Sequence, residues 1–297
     1  CAFTCSGLAN ECSARHIPTL VDIYFIEFRM DLSDVTYDYN DQFKVTSDIK
    51  SAFDRHGLII LRNALSPDEV RTTNSFLEND QERLSEAYGR TDDEGRRGMM
   101  TLWNDPKDDI TGLISRSEKI AGTMEALLGG EVYHYHGKLM LKEARTGGKH
   151  VWHQDYGYWY RNGCLNPDMG SVFMAIDKCE KANGCLEVIP GSHHIGRVDH
   201  SFVGEQTGAD MERVEWARKK LGHVFVEIEP GDAIFFHSNV LHASGRNDSD
   251  NRRWVLIVAY NRADNDPVYE HCHHAHYTPL NKIPSTEILS SVNGMKG

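Results

Sequence analysis

From Glu131 onward the chain changes character, and that change limits its fold more than any other feature. Strand-length runs rich in apolar, β-branched and aromatic residues follow one another: Val132 to Met140, Val151 to Tyr160, Ser171 to Ile176, Cys185 to Ile189, Val224 to Ile228, Ala233 to Phe236 and Trp254 to Tyr260. Clusters of Gly, Pro, Asn and Asp separate them, which is turn chemistry. One helical stretch, about Asp210 to Leu221, interrupts the series. Upstream, Ser47 to Arg55 reads as a short helix with Ser47 as its cap, and Gly57 to Arg62 reads as an apolar strand. Ser66-Pro67-Asp68-Glu69 opens a helix expected to run to about Tyr88. Thr91 to Asp109 reads as loop, and Thr111 to Leu128 as a helix stopped by Gly129-Gly130. Helices first and many short strands after predict an α+β fold whose core is an antiparallel sandwich or barrel.

The length, 297 residues, allows one large core, and no linker or repeat divides 30–297, so one domain is expected there. Residues 1–29 show little apolar periodicity and lack the basic and apolar regions of a signal peptide. They are expected to be an extension outside the core, with Met30 opening the domain. A net charge of -12 makes nucleic acid and anionic membranes poor partners. No apolar run reaches the roughly eighteen residues of a membrane span. The seven cysteines form no CxxC pair, and a chain this large folds without disulfides, so reduced thiols in the cytoplasm are expected. The C-terminal Gly294-Met295-Lys296-Gly297 is not the Ser-Lys-Leu peroxisomal address. Oligomeric state is not legible.

His153-Gln154-Asp155 carries the chemistry. In a strand, residues two apart share a face, so an imidazole and a carboxylate would project together. A third ligand must come from a distant strand, and His242 in Val240-Leu241-His242-Ala243-Ser244-Gly245 is the candidate. Two His and one carboxylate form the facial triad of non-heme Fe(II) oxygenases, leaving positions for a chelating 2-oxoglutarate and O2. Alone, an HxD pair is expected by chance among 16 His and 44 acidic residues. Context strengthens it. Arg253, at the head of an apolar run, is expected on a strand neighbouring His242, aimed into the same barrel to meet a distal carboxylate. Ser244 shares the face of His242 and suits the same carboxylate.

Trp152-His153-Gln154-Asp155, Asn183 to His193 (NGCLEVIPGSH), Pro230 to His237 (PGDAIFFH) and His242-Ala243-Ser244-Gly245 followed by Arg253 occur in order. On these motifs the sequence resembles the phytanoyl-CoA dioxygenase family, which includes ectoine hydroxylase and free amino-acid hydroxylases, over roughly Phe53 to Asn261. The resemblance implies a double-stranded β-helix (a cupin-like jelly-roll) flanked by N-terminal helices. It implies that His153, Asp155 and His242 bind Fe(II), that Arg253 and Ser244 anchor 2-oxoglutarate, and that Phe173 touches the cosubstrate. Trp159 aligns with a substrate-contacting Trp, and Phe236 with a substrate-facing position. The implied reaction hydroxylates an unactivated C–H of a small molecule and releases succinate and CO2. Asp155 stands where halogenating relatives carry a small residue, which favours oxygen transfer. A small zwitterion such as an amino acid is the favoured substrate. An acyl-CoA substrate, and desaturation or oxidative cyclisation at the same iron, remain open. So do a non-catalytic module and a cupin-type metal site.

Other features have plainer readings. His237 lies five residues before His242 but does not precede Ser-Gly as the family's ligand does. Tyr156, Tyr158 and Tyr160 beside Trp159 form either core or a substrate wall, with Tyr158 the candidate for the wall. Lys138, Lys142, Arg145 and Lys149 read as a solvated loop, with recognition of a carboxylate or phosphate as the alternative. His271-Cys272-His273-His274 with His276 reads as a surface or pocket-rim loop, with a regulatory metal site as the alternative. Asn183-Gly184 and Pro190-Gly191 read as structural turns; Glu187 or His193 is a candidate for the entrance. A chain starting at Met30 should fold and bind Fe(II) as the full chain does; loss of its circular dichroism spectrum would place residues 1–29 in the core.

Overall fold

The computed structural model describes residues 30–92, 94–269 and 276–295; the N-terminal extension and His271 to His274 lie outside the described residues. After β1 (Thr36–Asp38), helix α1 (Ser47–His56) has its cap one residue earlier than expected. Thr46, not Ser47, accepts a hydrogen bond from the Ile49 amide and so satisfies the exposed end. Gly57, at φ 77, ends it and turns the chain into β2 (Leu58–Arg62). Ser66 and Glu69 form a complete capping box on α2 (Pro67–Asn79), but the helix stops well before Tyr88. Asp80 caps a separate short helix, α3 (Gln81–Ser85).

The expected loop at 91–109 contains a strand and the end of another. β3 (Tyr88–Thr91) and β4 (Arg97–Trp103) pair antiparallel, and β4 adds to β5 (Val132–Lys142) from Met99 opposite Leu141 to Trp103 opposite Gly137. Strand pairing with a distant segment overrides the polar, Gly-rich composition, which is the usual way local propensity loses. The next helical stretch is split: α4 (Ile110–Arg116) ends at an extended Ser117, and a single π turn leads into α5 (Thr123–Leu128).

The segment expected as one strand from Val151 to Tyr160 is a strand followed by a helix: β6 (His150–His153), then α6 (Asp155–Trp159). β7 (Met169–Ala175), β8 (Leu186–Val188), the β9 (His200–Val203) and β10 (Gln206–Ala209) pair, α7 (Met211–Leu221), β11 (Val224–Val226), β12 (Ala233–His237), β13 (His242–Ser244), β14 (Arg253–Arg262) and α8 (Ile288–Met295) complete the order. The elements form a mixed helix-and-sheet fold. A large sheet runs β1-β2-β12-β7-β14-β5-β4-β3 and is antiparallel except between β1 and β2. A smaller antiparallel sheet runs β11-β8-β13-β6.

The large sheet is covered on both faces. Ile59, Leu61, Val172, Met174, Phe235, Leu256 and Val258 pack on Ile114, Ile120, Met124 and Leu127 of the helical layer. The alternate residues Ile60, Phe173, Ile234, Phe236 and Val255 meet Leu186, Val188 and Val226 of the small sheet. This explains why β2 reads as an unbroken apolar run: both side-chain rows are buried. Each such side chain contributes about 1.5–3 kcal/mol of burial, so sheet register is strongly specified. No helix among the described residues is long and apolar enough to cross a membrane.

The Asn183-Gly184 turn is structural, as read. Gly184 has φ 78, and a Cβ there would stand 2.2 Å from the Gly245 carbonyl oxygen, just past β13. Gly184→Ala should therefore cost about 1–3 kcal/mol in urea unfolding. An unchanged denaturation midpoint would show that the turn tolerates a Cβ and that the close approach is not structural.

Candidate functional site

β6 and β13 lie side by side with His153 opposite His242. Their rings stand 4.0 Å apart between centroids. Asp155 joins them through the strand-to-helix turn, not through strand parity as expected: Gln154 is extended (φ -112, ψ 136) and Asp155 begins α6. Its Oδ1 lies 3.8 Å from His153 Nε2 and 4.0 Å from His242 Nε2. One ligand atom from each of the three buried residues lies within 4.8 Å of the others.

Each donor is held in a binding state. His153 Nδ1 is 2.8 Å from the Val151 carbonyl, and His242 Nδ1 is 2.9 Å from the Val240 carbonyl. A carbonyl only accepts, so both Nδ1 atoms carry the proton and both Nε2 lone pairs face inward. Burial pushes both imidazoles down from their ordinary range, which keeps them neutral. Ser171 donates to Asp155 Oδ2 at 2.7 Å, leaving Oδ1 for an ion. Two neutral imidazoles and one carboxylate fit a divalent first-row metal of the iron type.

Gln154, between the two candidate ligands, is fully buried and points the other way. Its Nε2 donates to the carbonyls of Gly196 and Asn239 at 2.8 Å each, and its Oε1 accepts from the Val198 amide at 2.7 Å. One side chain thus ties three segments around the turn. Its backbone amide donates to His200 Nε2 at 2.9 Å. Sequence reasoning overlooked this role, although the uncharged, multidentate residue between two ligands was its signal.

A cavity of about 350 Å³ opens over the triad. Phe173, Trp159, Tyr158, Phe236, Ser244 and Arg253 all line it, so these candidates and the triad meet in one place. Phe236 packs edge-on against His242 at 4.9 Å, Tyr158 against His153 at 5.6 Å, and Trp159 against His136 at 5.6 Å. His150, not predicted, meets His153 edge-on at 4.5 Å. A bulge between β6 and β13 turns it inward three residues from His153, a spacing strand parity does not anticipate. His237 points elsewhere, toward Phe53 and His193. Glu187 reaches His223 at 3.2 Å and His193 reaches the Asp54 carbonyl at 3.0 Å, so neither serves the cavity. Of the histidine-rich segment only His276 is among the described residues, hydrogen-bonded to Asp266 at 3.1 Å.

Arg253 departs from expectation in one respect. It is not on a strand next to His242 but on β14 of the facing large sheet, opposite Lys142 of β5. It is 1% exposed, it lies over the Phe173 ring at 5.6 Å, and its Nε and Nη1 have no hydrogen-bond partner. Lys142, expected in a solvated loop, is also 1% exposed. Its Nζ donates to Ser244 Oγ at 2.8 Å and to the Gly245 carbonyl. Burial and the Arg253 charge lower its pKa. Nearby Cys179 and Cys185 are pushed up to about 12 and stay neutral thiols. Two buried cationic side chains and a hydroxyl without a matching carboxylate are costly unless an anion binds there. The pocket fits a dicarboxylate whose far end is charged. Lys142→Met should raise KM for 2-oxoglutarate by about tenfold to a hundredfold, the loss of one hydrogen bond to a charged group. An unaltered KM in steady-state succinate assays would remove Lys142 from this role.

Residues 53–255 match the family described as phytanoyl-CoA dioxygenase (PhyH). The L-proline trans-4-hydroxylase of Streptomyces griseoviridis is 32% identical over 240 residues, covering 75% of this chain and 88% of that relative. The ectoine dioxygenase of Stutzerimonas stutzeri strain A1501 is 25% identical over 238 residues, covering 74% and 78%. In fold, the chain is similar to the crystal structure of EctD from S. alaskensis in its apoform, with TM-score 0.69 at 22% identity, covering 85% of this chain and 92% of that one. The structure of that protein with 2-oxoglutarate and 5-hydroxyectoine aligns with TM-score 0.67 at 21% identity, covering 86% and 93%. The chain belongs to the phytanoyl-CoA dioxygenase family and is a 2-oxoglutarate-dependent dioxygenase.

Proposed function

We propose that this dioxygenase hydroxylates an unactivated C–H of a small, amino-acid-like molecule. In this reading His153, Asp155 and His242 hold Fe(II). Arg253 and Ser244 receive the distal carboxylate of 2-oxoglutarate, and Phe173 packs beneath the guanidinium. Trp159, Tyr158 and Phe236 form the substrate wall. The observation that carries it is a pair of matched demands in one cavity: a buried His-Asp-His donor set at one point and a buried guanidinium with unpartnered nitrogens at another. When bound, iron, 2-oxoglutarate and O2 supply the oxidation: the cosubstrate leaves as succinate and CO2, and one oxygen atom enters the substrate. The chain's own residues do the rest. Ser171 and the Val151 and Val240 carbonyls fix the donors. The jelly-roll reading belongs to the same proposal; two sheets enclosing the site between them support it.

The small-substrate reading rests on volume and on relatives. About 350 Å³ is near the lower end of ligand pockets, and the cosubstrate takes a share of it. The relatives are named for proline and ectoine, both small. A reducing, cytoplasmic location is part of the proposal, supported by the free buried thiols of Cys164, Cys179 and Cys185. His242→Ala should cut succinate release more than roughly 100-fold, beyond what loss of a supporting group costs. Parallel iron analysis should find the metal lost. Retained iron with retained turnover would end the assignment.

A further inference from the structure

We propose that a series of aromatic side chains, Trp159, Tyr135, Tyr133 and Tyr277, carries oxidising equivalents from the metal site to the protein surface when O2 is consumed with no substrate in place. The proposal rests on the reading of His153, Asp155 and His242 as the metal centre. Trp159 lines the cavity over these donors. Its ring meets Tyr135 edge-on, with centroids 5.4 Å apart. Tyr135 and Tyr133 lie two apart on one face of β5, and both are fully buried in one cluster with Trp159. Polar atoms also join their hydroxyls. Cys164 Sγ stands 3.8 Å from the Tyr135 hydroxyl. Asn261 Nδ2 stands 3.9 Å from that sulfur and donates to the Tyr133 hydroxyl at 2.9 Å. Tyr133 in turn meets Tyr277 edge-on at 5.8 Å. Tyr277 is 39% exposed, so the series starts at the cavity and ends at solvent.

A phenol that loses an electron becomes a strong acid, so it yields the electron readily only where a base takes its proton. Both outer tyrosines have one. The Tyr133 hydroxyl donates to Asp266 Oδ1 at 3.0 Å, and the Tyr277 hydroxyl donates to Glu131 Oε1 at 2.7 Å. Asp266 Oδ1 also accepts from the Tyr277 backbone amide at 2.7 Å, which holds the last ring against Tyr133. Burial raises the pKa of Tyr133 and Tyr135, and the Glu131 hydrogen bond raises that of Tyr277, so all three start as neutral phenols. Tyr156 and Tyr158, closer to the donors in sequence, give their hydroxyl protons to backbone carbonyls, which are not bases of this kind.

The electrons balance. Decarboxylation of 2-oxoglutarate uses one oxygen atom of O2. With no C–H to receive the other, that atom takes up two electrons and two protons and leaves as water. Each electron passes inward along the series from Tyr277. The Tyr277 O–H bond breaks, its proton moves to Glu131 and on to solvent, and a neutral tyrosyl radical remains. An external reductant of the ascorbate class returns one electron and one proton to that radical before the second transfer. With substrate bound, the C–H consumes both equivalents and the tyrosines stay reduced.

The test gives the full chain Fe(II), 2-oxoglutarate and O2 without substrate or ascorbate, and reads frozen samples by electron paramagnetic resonance and oxidised residues by mass spectrometry. A tyrosyl radical should form, and its signal should narrow when the protein carries ring-deuterated tyrosine. In Tyr277→Phe, whose ring is exposed and whose fold is therefore little disturbed, the radical should stop at Tyr133 with a changed spectrum. In Tyr133→Phe the surface radical should vanish, oxygen adducts should collect on Trp159, and activity should be lost after severalfold fewer turnovers. Ascorbate should protect the parent chain and Tyr277→Phe more than Tyr133→Phe. Succinate release that needs His242, with no tyrosyl radical or with a radical indifferent to both substitutions, would overturn the proposal alone. Substrate-free inactivation as slow in Tyr133→Phe as in the parent would do the same. Succinate release that does not need His242 would overturn the metal reading and the proposal with it.

Discussion

Two antiparallel strands set His242 directly opposite His153, and the site depends on that pairing. Cross-strand neighbours approach closely enough for two rings to converge on one point, and here their centroids are 4.0 Å apart. Slipping either strand by one residue would send its imidazole to the far face. Burial on both faces of the surrounding sheets prevents that slip. The apolar core is thus a positioning device for metal donors, which need placement within fractions of an ångström.

Around that pairing, polar groups fix what packing alone leaves free. The backbone carbonyls of Val151 and Val240 select the tautomer of each imidazole. Ser171 occupies one oxygen of Asp155. Gln154 faces away from the cavity and ties its turn to two other segments, at Gly196–Val198 and at Asn239, so the turn between strand and helix has one shape. The carboxylate arrives from a helix start, where the amide dipoles favour negative charge. A donor set held this way needs little rearrangement when an ion enters.

The cavity has separate electrostatic stations. Deep between the sheets lie Arg253, Lys142 and Ser244, where the buried guanidinium with unpartnered nitrogens favours an anion. Toward the β3–β4 wall lie Arg90 and Lys138, less buried and better solvated. Specificity of this kind comes from unmet charge as much as from shape.

The sequence by itself determined which residues are candidates for the site. His153, Asp155, His242, Arg253 and Ser244, which meet at one cavity, were legible as candidates because metal and carboxylate binding admit few residue types, and their motifs occur in a specific order. The α+β class was legible from the switch in apolar period at Glu131. Tertiary structure decided the rest. Polar segments such as β3 and β4 became strands only by pairing with distant neighbours. Lys142 and Lys138 looked solvated because charge is normally exposed, and only the facing of two sheets turned them inward. His150 entered through a bulge, and Arg253 arrived from the opposite sheet. Local pattern records which face a residue prefers; which other face it meets is set by non-local packing, and the binding site is made at that meeting.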